Sequence, residues 1–145
     1  MKLNLKKALE FMKKDIASHF GKLSFDYKIE NDEAKAICSG LSIRNVTEDA
    51  LLIVKAYVGG GVTCTLVLDK IDALPHSLKA INDYNRAQSF FTAFANDKGY
   101  LELRNFFICY ELDMLKEYAS EFLCRVADFS EDEDILELVK YTYAD

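Results

Sequence analysis

Leu5, Leu9, Met12, Ile16 and Phe20 recur at the spacing of one helical face, with lysines on the opposite side, and predict an amphipathic helix that stops at Gly21. The period then falls to two. Leu23, Phe25, Tyr27 and Ile29 alternate with Ser24, Asp26, Lys28 and Glu30, as in a half-buried strand. Asn31-Asp32 turns the chain into a weaker strand from Ala34 to Ser39. Beyond a polar connection from Arg44 to Asp49, Leu51 to Val58 is β-prone and apolar at successive positions, which predicts a central strand covered on both faces. Gly59-Gly60-Gly61 supplies the backbone freedom for a reversal, and Val62 to Leu68 returns as the second half of a hairpin.

Pro75 can occupy the first turn of a helix, where its missing N–H leaves nothing unsatisfied, and Leu78, Ile81 and Asn85 fall on one face of that helix. Asn96-Asp97-Lys98-Gly99 then fits a type I turn closed by a glycine at positive φ, so that Asn96 opposes Tyr100. Counting outward from this turn, Phe91, Ala93, Ala95, Leu101 and Leu103 share one face of the hairpin. Phe90, Thr92, Phe94, Glu102, Arg104 and Phe106 share the other. Leu115, Ala119, Phe122, Val126 and Phe129 form the stripe of a further helix with Asp113 as its N-cap. Ser130 with Glu133 makes a capping box for a last helix whose inner face is Ile135, Leu138, Val139 and Thr142.

The resulting order, α-β(3-4)-α-β-β-α-α, predicts an α+β fold with one antiparallel sheet and helices packed mainly on one face. At 145 residues the chain fits a single domain, 1–145, and domains of this size bury about 70% of the surface their unfolded chains expose. The single proline and modest glycine content argue against a long disordered segment. A formal net charge of −6 has the sign of a phosphate backbone, so nucleic acid is not an expected partner. No apolar run approaches membrane-spanning length and charge begins at Lys2, so the expectation is a cytoplasmic protein with no membrane association.

Neither a metal nor a cofactor is expected. His19 and His76 fall in different elements with no converging Cys or carboxylate around them. Cys38, Cys64, Cys109 and Cys124 contain no C-x-x-C pair and have apolar neighbours, which suits reduced, buried structural thiols. The three consecutive glycines lie between strands and lack the following Lys-Ser/Thr of a phosphate loop. The acidic run Glu131 to Asp134 lacks the spaced ligands of a calcium loop and complements the positive end of the last helix.

The element order, together with Ile81-Asn82-Asp83-Tyr84-Asn85 preceding Phe90 to Arg104, resembles the YbjN-like family of bacterial proteins, whose members are similar in fold to type III secretion chaperones. In that family an apolar-Asn-x-aromatic-Asn segment ends the second helix, and an aromatic strand, an acidic Gly turn and a Leu-rich strand follow. Asn82, Tyr84, Asn85, Phe91, Asp97, Gly99, Leu101 and Leu103 occupy those places. The connection from Arg44 to Asp49 and the helix from Glu131 onward depart from the pattern. The resemblance implies a homodimer that binds proteins, as a chaperone-like adaptor or regulator of an unidentified partner, and implies no catalytic residue.

The candidate interface follows from composition. Phe90, Phe94 and Phe106 beside Glu102 and Arg104 are too apolar for open solvent and too charged for a deep core, which fits a dimer or partner surface. The alternative is that another helix of the same chain covers these rings. Tyr84 and Asn85 are candidate ligand contacts for a second reading, a small-ligand sensor with a pocket near them. Their structural alternative is core packing for Tyr84 and a hydrogen bond to a neighbouring strand or loop for Asn85.

Overall fold

The computed structural model describes residues 3–20, 24–87 and 90–144. The expectations for Gly21 and Leu23, and for the side chains of His19, Phe20 and Phe25, lie outside the described residues. Along the chain run α1 (Leu5–Phe20), β1 (Ser24–Glu30), β2 (Glu33–Ile43), β3 (Thr47–Tyr57), β4 (Gly61–Ile71), α2 (Pro75–Arg86), β5 (Thr92–Ala95), β6 (Tyr100–Ile108), α3 (Leu112–Ala127), α4 (Glu133–Val139) and β7 (Thr142–Tyr143). A 3-10 turn, Phe129–Glu131, joins α3 to α4. The described residues form a seven-stranded antiparallel sheet in the order β1-β2-β3-β4-β6-β5, with β7 paired to the end of β4. The α+β class and the antiparallel sheet expected from the sequence are therefore present.

Local chemistry sets the turns. Asn31 and Asp32, both at positive φ (52° and 60°), close β1 onto β2 in the two-residue geometry that matches strand twist. At Asn96 the side-chain oxygen accepts from the backbone N–H of Lys98 and of Tyr100. The Gly99 N–H donates to the Asn96 carbonyl at 3.0 Å, and Gly99 has φ 84°, so the turn and its register are as the sequence predicts. The Arg44 to Asp49 connection is much shorter than its polarity suggests. A bulge around Gly40 (φ 73°) shifts the β2–β3 register, and the strands run on to Ile43 and restart at Thr47.

One face of the sheet carries the core. Ala34, Ala36 and Cys38 of β2, Leu52, Val54 and Ala56 of β3, Val62, Cys64 and Leu66 of β4, and Leu101 and Leu103 of β6 alternate inward and are buried. Small residues at Ala34, Ala36 and Ala56 let α1 lie close, with Ala8, Met12 and Ile16 turned down onto β1 to β3. α3 packs beside it through Leu115, Ala119, Phe122, Leu123 and Val126. Phe91 meets Phe122 and Phe129 edge-on, each at 5.3 Å between ring centroids, so the start of β5 is anchored to α3 and the turn after it. Each such large side chain stabilises the fold by about 1.5–3 kcal/mol through burial.

Several local expectations are corrected. In α2 the inner residues are Ser77, Ile81 and Tyr84, whereas Leu78 is 42% exposed; the stripe is rotated by one position from the expected one. α3 starts after Glu111, whose side chain makes no cap, and Asp113 sits in the first turn. Ser130 is consumed by the 3-10 turn, so Asp132 caps α4 instead, accepting from the N–H groups of Asp134 and Ile135. α4 ends at Val139, and Thr142 belongs to β7, its hydroxyl donating to the Val139 carbonyl. Cys124 is exposed on α3 rather than buried, while Cys38, Cys64 and Cys109 are buried and none of the four is in a disulfide. Among the described residues no helix is long and apolar enough to cross a membrane. Finally, β3 is central in the sheet but covered on one face only, since the described helices pack on the core side.

Candidate functional site

The uncovered face is built by the other half of each strand's alternation. Cross-strand register arranges it in rows: Ile37, Ile53, Thr65 and Arg104 in one, with Leu51, Val67, Glu102 and Phe94 in the next. Toward the β3–β4 turn follow Lys28, Lys35, Lys55, Thr63 and Phe106, and then Glu33 with Tyr57 and Gly61 with Ile108. Ile37, Leu51, Ile53 and Val67 are half-buried. Phe106 and Ile108 are 59% and 53% exposed. The Phe106 ring lies over Gly61, where a Cβ would come within 3.2 Å of Phe106 Cε2. An apolar surface of this extent with charges at its margin is the composition of an interface.

Of the residues singled out in the sequence, Phe94, Glu102, Arg104 and Phe106 are all on this face. The Arg104 guanidinium lies 4.9 Å from the Phe94 ring centroid and 3.4 Å from Glu102. Asn96 Nδ2 donates to Glu102 Oε1 at 2.9 Å, so the carboxylate, 13% exposed, is held between a turn amide and a guanidinium. Phe90 is the exception, and its expected position is corrected. β5 begins only at Thr92, so strand alternation does not extend back to Phe90. Its ring instead contacts Phe91 and Phe122 on the core side, beneath the Arg125 guanidinium at 4.5 Å.

Tyr84 is 5% exposed in the core between α2 and its neighbours. Asn85 is a clamp. Its Nδ2 donates to the Ala93 carbonyl at 2.9 Å and its Oδ1 accepts from the Ala93 N–H at 2.8 Å, so both ends of the amide take the place of a missing strand beside β5. Tyr84 lines two clefts, one of about 170 Å³ beside Asp83 and Leu138 and one of about 400 Å³ beside Phe90 and Arg125, the second within the roughly 300–1,000 Å³ of ligand pockets. The Asn85 amide is thus engaged in capping the edge of β5, while Tyr84 lines both clefts. A larger hollow, about 650 Å³, opens on the uncovered face over Leu51, Ile53 and Val67 and is rimmed by Asp49, Tyr100 and Glu102.

Charge on the face is unevenly spread. Lys28, Lys35 and Lys55 stand side by side across three strands, which costs like-charge repulsion. Lys28 approaches Glu30 at 3.3 Å and Lys55 approaches Glu33 at 3.8 Å. Glu102 lies in a central row, and toward the opposite end stand Asp49 and, paired with Tyr100, Lys70.

Reactive chemistry is sparse. His76 is exposed and stacks at 5.7 Å on Tyr141. Among the described residues no three His, Cys, Asp or Glu side chains group as metal ligands. Burial pushes the Cys38, Cys64 and Cys109 thiols above their ordinary range, and for Cys64 the proximity of Cys109 adds to it, so none is a ready nucleophile.

Ile37, Leu51, Ile53, Tyr57, Val67 and Ile108 were not among the residues singled out from the sequence. The signal for several was present in the two-sided apolarity of Leu51 to Val58 and Val62 to Leu68. It reads equally as burial under a second layer of the same chain. Comparison of the chain with protein-family models, with curated proteins and with solved structures finds no match in any of the three.

Proposed function

We propose that this chain is a non-enzymatic protein-binding module, working as a homodimer in the cytoplasm, as a chaperone-like adaptor or regulator. The architecture proposed for it is the YbjN-like, type III secretion chaperone-like one, as a single domain. The observation that carries the reading is the apolar sheet face left bare of helices. A chain that keeps Ile37, Leu51, Ile53, Val67, Phe106 and Ile108 on one surface gains by covering them with a second polypeptide. Apolar anchors supply the affinity, and the marginal charges set register and exclude wrong partners.

Light scattering tests this. The expected mass in solution is twice 16.5 kDa, and Phe106→Glu lowers it toward the monomer without changing helix or sheet content. A wild-type monomer at high micromolar concentration contradicts the dimer. A second reading, a small-ligand sensor, is favoured by the hollow of about 650 Å³ over Leu51, Ile53 and Val67, which is large enough for a metabolite. Native mass spectrometry of freshly purified protein separates the two, since a retained small molecule supports the sensor.

A further inference from the structure

The charge pattern of the open face selects one way for two copies to meet. We infer that the second copy docks face to face with its strands reversed, about a two-fold axis in the interface plane that runs across the strands over the row Cys38, Leu52, Leu66, Leu103 and Ala93. Those residues are successive cross-strand neighbours and define one continuous row over four consecutive strands and the edge strand β5. The inference rests on the homodimer reading and adds its register.

Rotation about that row exchanges open-face positions placed symmetrically on either side of it. Ile53 meets the partner's Leu51 and Thr65 meets the partner's Val67, so the apolar centre closes on itself. Arg104 meets the partner's Glu102, giving four alternating charges from two symmetry-related pairs. Three residues out from the axis, Lys55 faces the partner's Asp49, and Phe106 faces the partner's Tyr100. Lys55 of each copy therefore lies over Asp49 of the other. Sheets stacked this way sit about 10 Å apart and cross at about 30°, within reach of Lys, Arg and Glu side chains near the axis.

Neighbouring arrangements are worse on the same evidence. An axis over Ile53, Thr65 and Arg104 stacks Arg104 on its own symmetry mate, and an axis over Leu51, Val67 and Glu102 does so for Glu102. An axis parallel to the strands keeps the Lys28, Lys35 and Lys55 row of one copy at the same end as that of the other. Each juxtaposes like charges at an interface, which is costly. Area also fits: six strands wide and as long as β3 from Asp49 to Tyr57, the face has a footprint on the order of 800 Å². That is close to the roughly 800 Å² each partner contributes to a standard stable interface.

The test is charge reversal on β3, at side chains outside the core. Lys55→Glu and Asp49→Lys are each expected to raise the dimer dissociation constant about tenfold or more, because each places two like-charge contacts across the interface. The double variant Lys55→Glu/Asp49→Lys is expected to return to near the wild-type value. Mixing the two single variants is expected to restore dimers as heterodimers, since one chain's reversal then faces the other's. Sedimentation velocity reads all four samples, with circular dichroism confirming that each is folded. Weakening by both single variants with no rescue in either the double variant or the mixture overturns this register while leaving a face-to-face dimer standing. Dimers indifferent to both reversals place the contact elsewhere, such as the exposed edge of β1, and overturn the register. A wild-type monomer removes the homodimer reading itself.

Discussion

Removing the Asn85 amide should uncouple the second hairpin from α2. Asn85→Ala leaves the Ala93 N–H and carbonyl without the partners they hold at 2.8 and 2.9 Å. Ala93 is 2% exposed, so water reaches these groups poorly. A buried backbone group stripped of its hydrogen bond costs about 1–3 kcal/mol, and with some water entry at the sheet edge the two together should cost about 2–4 kcal/mol. Asn85→Asp is the sharper probe. It keeps an acceptor for the Ala93 N–H but sets a carboxylate oxygen against the Ala93 carbonyl, so the protonated acid, which can donate, is the form the fold prefers. Its folded pKa is then raised above the unfolded value of about 3.9. The variant should approach wild-type stability below that pH and lose ground as pH rises through the folded pKa. Urea denaturation at pH 3.5 and pH 7, with hydrogen exchange at the Ala93 amide, reads both effects. An Asn85→Ala midpoint within error of wild type, or an Ala93 amide that exchanges no faster, would refute the clamp.

Two glycines with positive φ should respond differently to a side chain. Gly60→Ala brings Cβ within 2.7 Å of the Cys109 carbonyl oxygen and the Tyr110 ring at φ 99°, and should cost about 3–5 kcal/mol from strain and overpacking together. At Gly99 an added Cβ meets nothing within 4 Å, so in Gly99→Val backbone strain should dominate and cost about 1–3 kcal/mol; equal losses in denaturation midpoint would contradict the geometry. In the native protein a thiol reagent should label Cys124 rapidly and Cys38, Cys64 and Cys109 only on unfolding, as mass spectrometry of the labelled chain will show; fast labelling of a second thiol contradicts the burial. Those three thiols lie above their ordinary 9.0 in the fold, and burial, helped by Cys38, pushes Tyr27 up to about 12. Their stabilising contribution is complete below pH 9 and is lost above it, where the unfolded chain releases protons the folded one keeps. The urea midpoint should therefore fall between pH 9 and 11, and a flat profile would contradict it.

What was legible in the sequence was legible for local reasons. The turn at Asn96 to Gly99 carries its own chemistry, and one turn fixes the faces of both strands beside it, so the placement of Phe94, Glu102, Arg104 and Phe106 follows by counting. Counting fails where an element ends. Phe90 lies beyond the start of β5, and Thr142 lies beyond the end of α4, because tertiary contacts to Phe122 and to β4 outcompete continuation of the local pattern. Caps were misplaced for a related reason. Asp113, Ser130 and Asp132 are all competent cap residues, but α3 already starts after Glu111, and the 3-10 turn takes up Ser130 and leaves Asp132 to meet the open N–H groups of α4. The open face was the hardest to foresee. An apolar Leu51 or Ile53 looks the same in sequence whether its cover is a helix of its own chain or a second molecule.

If the bare sheet face is an interface between chains, Ile53 sits in its middle, flanked by Ile37 and Thr65. Sedimentation equilibrium of wild type and Ile53→Glu, side by side at matched concentrations, tests it most directly. On a free surface a half-exposed glutamate is tolerated, whereas at the centre of a packed interface its charge has no partner and association weakens strongly. An interface on this face gives a wild-type mass of twice 16.5 kDa and a folded, monomeric Ile53→Glu. A monomeric wild type, or an Ile53→Glu variant that remains fully dimeric, would contradict it.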